Sequence, residues 1–121
     1  MDTPQFERLV RQALNELPLE FRSRMENVDV VVEARATRDQ LIGSGLDDDE
    51  SLLGLYEGIP LPERYDYDLV LPDKITLFQA TIESICETEQ DIVREIQDTV
   101  VHEVAHHFGI DDHELDAMGV R

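Results

Sequence analysis

Ile92, Val93, Ile96, Val100, Val101, Val104 and Phe108 recur at helical spacing, and no other pattern restricts the fold of this chain as much. The apolar surface they form is wide enough to demand burial, so the remaining residues must be packed around one long helix. Thr88 or Glu89 opens that helix. Along its side runs a second stripe of Thr99, His102 and His106. Residues four apart stand one above the other on a helix, so both imidazoles face the same point. Glu103 lies beside that face.

The segment reads HExxH, two imidazoles able to share one metal ion with a carboxylate next to them. Zinc lowers the pKa of a bound water to about 7, and Glu103 is placed to take its proton without ligating the metal. All four histidines of the chain, His102, His106, His107 and His113, fall within this one segment, which sets it apart from a chance match. His107 points to a different side of the helix from His106, as a residue that packs or steadies its neighbours. A catalytic zinc takes three protein ligands and one water. Gly109 follows His106 by three residues and can adopt the left-handed conformation that ends a helix. That reversal offers Asp112, three residues further on, as the third ligand. Asp111, His113 and Glu114 are neighbouring candidates for the same position. The spacing matches the metzincin pattern HExxHxxGxxH, with aspartate in the last place.

The length of 121 residues predicts a single domain over 1–121 with a small core. A net charge of −18 repels nucleic acid and anionic membranes and draws cationic peptides or basic proteins. An acidic proteome or a saline habitat accounts for the charge equally well. The single cysteine, Cys86, allows no intrachain disulfide. The N-terminus has neither the basic nor the apolar region of a secretory signal, and no apolar run reaches membrane-spanning length. These features predict a cytoplasmic protein.

In chain order, Asp2 or Thr3 caps a first helix with Pro4 at its start, and Phe6, Leu9, Val10, Ala13, Leu14 and Leu17 form its apolar stripe. Pro18 ends it. Val28 to Ala34 is rich in β-branched residues and reads as a central strand. Thr37 to Ile42 is ambiguous, and Gly43 to Glu50 reads as a loop ending in the acidic run Asp47 to Glu50. Leu52 to Glu57 is a second strand, followed by an extended turn over Gly58 to Pro62. Tyr65 to Leu71 continues to Pro72, and Asp73 to Gln79 is a third strand. Its residues Ile75, Leu77 and Gln79 share one face, with Thr76 and Phe78 on the other. Helical spacing resumes at Ala80, with Ile82, Ile85 and Cys86 facing inward, so the thiol reads as a small buried hydrophobe. A short helix around His113 to Met118 closes the chain.

Three segments resemble the minimal zincin-like metallopeptidases, a family of short bacterial proteins: LLGLYEGIPLPER (Leu52 to Arg64), LPDKITLFQ (Leu71 to Gln79) and VVHEVAHHFGIDDHELDAMG (Val100 to Gly119). The resemblance implies a zincin-like α+β fold, a small mixed β-sheet packed against an active-site helix and an N-terminal helix. It implies Zn2+ held by His102, His106 and Asp112, with Glu103 as general base in peptide-bond hydrolysis. Zincins commonly bind an extended substrate along an edge strand, and Lys74 to Gln79 or Leu53 to Glu57 are the segments suited to it. Met118 stands only six residues beyond Asp112, too near for the methionine turn of larger metzincins, and reads as packing for the last helix.

The expected activity is therefore that of a zinc-dependent peptidase acting on a peptide or protein substrate. A different class remains in view, a binding or regulatory module derived from the same fold, with a structural metal or none. It is motivated by the short chain and by the lack of an evident oxyanion donor other than Tyr56 or Tyr65. A third expectation is hydrolysis of amides other than peptides.

Overall fold

A computed structural model of the chain describes residues 1–45, 52–58 and 72–120. The readings of the acidic run Asp47 to Glu50, the turn over Ile59 to Pro62 and the stretch Tyr65 to Leu71 lie outside the described residues. In chain order the elements are α1 (Thr3–Asn15), α2 (Leu19–Arg22), a 3-10 turn (Ser23–Met25), β1 (Val28–Glu33), α3 (Arg38–Gly43), β2 (Gly54–Glu57), β3 (Asp73–Phe78), α4 (Gln79–Ser84), α5 (Glu89–Phe108) and α6 (Asp112–Met118). This is the α+β arrangement expected, mixed helices with a small mixed sheet.

Each long helix is started by reciprocal side-chain bonds that satisfy its first N–H groups. Asp2 accepts from the Gln5 N–H at 2.9 Å while the Gln5 side chain accepts from the Asp2 N–H. Thr88 and Asp91 do the same for α5. The Arg94 guanidinium holds the Asp91 carboxyl below its ordinary range, helped by the Glu87 and Thr88 N–H groups. Phe6, Leu9, Val10 and Ala13 of α1 are buried against α5, whose own buried side is Ile92, Val93, Ile96, Val100, Val101, Val104 and Ala105. The twenty-residue helix is thus sunk in the core along most of its length.

Three strands lie in the order β1-β3-β2, with β1 parallel and β2 antiparallel to β3. This corrects the reading of Val28 to Ala34 as a central strand. In β1 only Val28, Val30 and Val32 are half-buried, while Asp29, Val31 and Glu33 face outward. One-sided burial is the mark of a strand with a wet face. The central strand is β3, where Ile75, Thr76, Leu77 and Phe78 are all fully buried. Because both edges of β3 are paired, Lys74 to Gln79 cannot take an added strand.

The chain leaves β3 directly into α4 at Gln79, whose side chain accepts from Thr3 Oγ1 and donates to the Met1 carbonyl. The N-terminus is fastened to the end of the central strand in this way. Ile82 is buried as expected, but Ile85 is 59% exposed, because α4 ends at Ser84 and the next residue no longer follows the helical face. Cys86 packs half-buried against the core, and its thiol is pushed up by burial first and then by the Glu95 and Asp91 charges. That keeps it a hydrophobe at neutral pH. No described helix is long and apolar enough to cross a membrane.

β2 comes so close to the long helix that only glycine fits at its first position. A Cβ on Gly54 would lie 2.6 Å from Thr99 Cγ2 and 3.2 Å from the Thr76 carbonyl oxygen. Gly54→Ala is expected to cost about 1–3 kcal/mol by overpacking, read as a lower midpoint of urea unfolding with an unchanged slope. An unchanged midpoint would mean that β2 is free to move off the helix.

Candidate functional site

His102 and His106 stand one turn apart on α5, and both side chains are exposed, on the side of the helix turned away from its buried valines. Glu103 is half-buried between them and the sheet. Its Oε1 accepts a 3.0 Å hydrogen bond from the Tyr56 N–H of β2. The Leu53 carbonyl accepts from Phe78 N on β3, so by strand alternation the Tyr56 N–H points away from β3, to the open side of β2. One carboxylate oxygen is thereby fixed against the strand edge, and Oε2 has no partner among the described residues.

Aromatic rings brace this contact. His107 stacks flat on Tyr56, with centroids 3.9 Å apart and planes 17° apart, and Phe108 meets both rings edge-on. The Tyr56 hydroxyl donates to Asp73 Oδ2 at 2.7 Å, and His107 Nε2 lies 3.9 Å from the same oxygen. His107 therefore packs the strand onto the helix, as its position predicted. Phe108, expected in the core, is 45% exposed: it is the last helical residue and lies over Tyr56 and His107 instead. The hydroxyl of Tyr56, one of the two oxyanion donors considered, is committed to Asp73, and Tyr65 lies outside the described residues.

The helix stops where the sequence predicted. Gly109 adopts φ 67°, and the Ile110 N–H donates back to the Ala105 carbonyl. An L-residue in that conformation is strained. Gly109→Ala is expected to lower stability by about 1 kcal/mol and to displace the turn after the helix, which a thermal melt and an amide hydrogen-exchange map of residues 105–115 would reveal. Past the turn, Asp111 caps α6 by accepting from the Glu114 N–H at 2.8 Å. Asp112, His113 and Glu114 are exposed in the first turn of α6. Met118 is buried under that helix, as expected of a packing residue.

The donors suit zinc by chemical type, with two exposed imidazoles on one helix face and carboxylates just beyond the glycine turn. Among the described residues no three His, Cys, Asp or Glu side chains are grouped so as to hold an ion. An open cavity of about 410 Å³ lies over this face, lined by Leu55, Tyr56, His102, Glu103, His106 and His107. Sequence reasoning missed the Tyr56–Glu103 bond, which depends on strand order. A glycine inside a strand pattern was the available sign of close approach at Gly54.

A family model described as zincin-like metallopeptidase matches residues 25–120. Among solved structures, a conserved hypothetical protein from T. thermophilus is 21% identical, with a TM-score of 0.55, over 89% of this chain and 94% of that one. At that identity the likeness concerns the fold. No curated protein sequence matches.

Proposed function

The chain belongs to the zincin-like metallopeptidase family, and from that premise we propose that it is a zinc-dependent peptidase. His102 and His106 would hold the ion, Asp112 would complete the set after the Gly109 turn, and Glu103 is the general base. When bound, zinc polarises a carbonyl oxygen and acidifies a water molecule to a pKa of about 7.

The observation that carries the reading is the Glu103 carboxylate, anchored by the Tyr56 N–H of β2 and lining one cavity with His102 and His106. The rest is the work of the chain's own residues. β2 has an unpaired edge, on which the Tyr56 N–H is held by Glu103 until an extended peptide replaces it, while β3 is paired on both sides. Glu103 accepts a proton from the attacking water as the C–O bond forms. It returns that proton to the leaving nitrogen as the C–N bond breaks. Tyr56, His107 and Phe108 hold the strand against the helix so that carboxylate and scissile bond keep their relation. The proposed substrate is a peptide or protein, and the proposed setting is the cytoplasm.

The other reading is a zincin-derived binding module whose metal is structural or absent. One observation favours it, the lack of a grouped donor set among the described residues. Digestion of an unbiased peptide library, with one equivalent of zinc or with chelator, separates the two. New peptide termini formed only with zinc are expected. Stoichiometric zinc with no new termini would favour the binding module.

A further inference from the structure

The sheet ends on its other side in β1, which is paired with β3 alone among the described residues. The Asp73 N–H donates to the Asn27 carbonyl at 2.9 Å, and the two strands run parallel with Val28 beside Asp73. Asn27, Asp29, Val31 and Glu33 therefore turn their main-chain groups toward β3, and Val28, Val30 and Val32 turn theirs outward. No described residue hydrogen-bonds those outward groups. The side chains of the same three valines pack against the core, yet each is only half-buried. Together with Val10 and Leu14 of α1 and with Met25, they line an open cavity of about 330 Å³ between β1 and α1. Leu14 and Met25 are half-buried too, so the core is left unfilled along this margin. Glu7, Arg11, Arg22 and Asp29 also line the cavity. Neither guanidinium is ion-paired among the described residues, in a chain where 28 acidic residues outnumber 10 basic ones.

We propose that the β1 edge docks an extended segment of a partner protein as a fourth strand, its alternate side chains apolar and one of them acidic. Three observations select this occupant. The outward donors and acceptors at Val28, Val30 and Val32 match the main chain of another strand. Alternation sends every second side chain of that strand to the groove face, where half-buried apolar residues gain cover. Arg11 and Arg22, without acidic partners, favour a carboxylate among those side chains. Glu7 and Asp29 oppose it in part, so its contribution is that of a solvent-exposed ion pair. A second copy of this chain is disfavoured as the occupant, because two molecules of net charge −18 repel each other. The site lies on the opposite edge of the sheet from β2 and requires neither a metal nor cleavage.

The test is binding to full-length protein, measured by fluorescence anisotropy in the presence of chelator. The probes are the labelled, amidated peptide Thr-Val-Thr-Val-Thr-Val-Thr-Asp and its counterpart ending in asparagine. Saturable binding is expected, with the aspartate peptide preferred about threefold, the scale of an exposed ion pair. Arg11→Gln with Arg22→Gln should erase the preference. Arg8→Gln with Arg24→Gln changes net charge equally at exposed residues that do not line the cavity, and should keep it. Strand pairing has a separate readout. N-methylation of the valines or of the threonines blocks one row of peptide donors at a time, and only one of the two modified peptides should lose binding. Amide hydrogen exchange at Val28, Val30 and Val32 should slow in the complex. The proposal is overturned by no saturable binding, by equal affinity for the two peptides, or by a preference that survives in the Arg11 and Arg22 variant or vanishes in the control. Equal loss with both methylation patterns, or exchange slowed at Gly54 and Tyr56 instead of at the valines, would overturn it as well.

Discussion

Glu103→Gln is expected to reduce turnover of a cleavable peptide by about 10²- to 10⁴-fold, the usual contribution of a positioned general base, while zinc uptake stays stoichiometric. Glutamine is the informative replacement because its amide oxygen still accepts from the Tyr56 N–H. The strand therefore stays anchored, and only the ability to take a proton disappears. Alanine would remove the anchor as well and confuse a chemical loss with a displaced strand. Steady-state kinetics on one peptide from the library digest, together with metal analysis of the same preparation, decides the matter. Equal turnover in the variant would exclude Glu103 as the base.

His106→Ala is expected to abolish zinc uptake with little change in the metal-free fold. The side chain is exposed on the helix, and surface replacements away from caps and cores usually stay within about 0.5 kcal/mol. A metal that binds the folded chain alone adds stability by mass action, about 2.7 kcal/mol at a hundredfold excess over Kd. Wild-type protein should therefore melt at a higher temperature when zinc is added, and the variant should not. The same melt ranks the carboxylates beyond the turn. Asp112→Ala is expected to lose most of the zinc response, whereas Asp111→Ala should keep it and instead lose about 1 kcal/mol with its cap. A zinc response that survives in His106→Ala would remove this imidazole from the ligand set.

Much of this molecule is written in local patterns. The apolar spacing from Ile92 to Val104, the Thr88 cap and the Gly109 stop each act within a few residues, and α5 runs from Glu89 to Phe108 accordingly. What was misjudged depends on partners distant in the chain. Val28 to Glu33 looks like a central strand by composition, yet centrality belongs to the strand that pairs on both edges, and β3 does so. Ile85 and Phe108 sit at helix ends, where an apolar residue escapes the face that periodicity assigns to it. The candidate site divides in the same way. His102, Glu103 and His106 were legible because one helix turn relates them. The Tyr56–Glu103 bond arises only once β2 is laid against the helix, 47 residues away in sequence.

Anomalous diffraction at the zinc absorption edge, from crystals grown with one equivalent of zinc, addresses the central claim most directly. The expected result is a single strong peak about 2.0–2.2 Å from one nitrogen each of His102 and His106 and from an Asp112 oxygen, with the Glu103 carboxylate outside ligand distance. A peak elsewhere, or no peak on the His102–His106 face with zinc in excess, would contradict it.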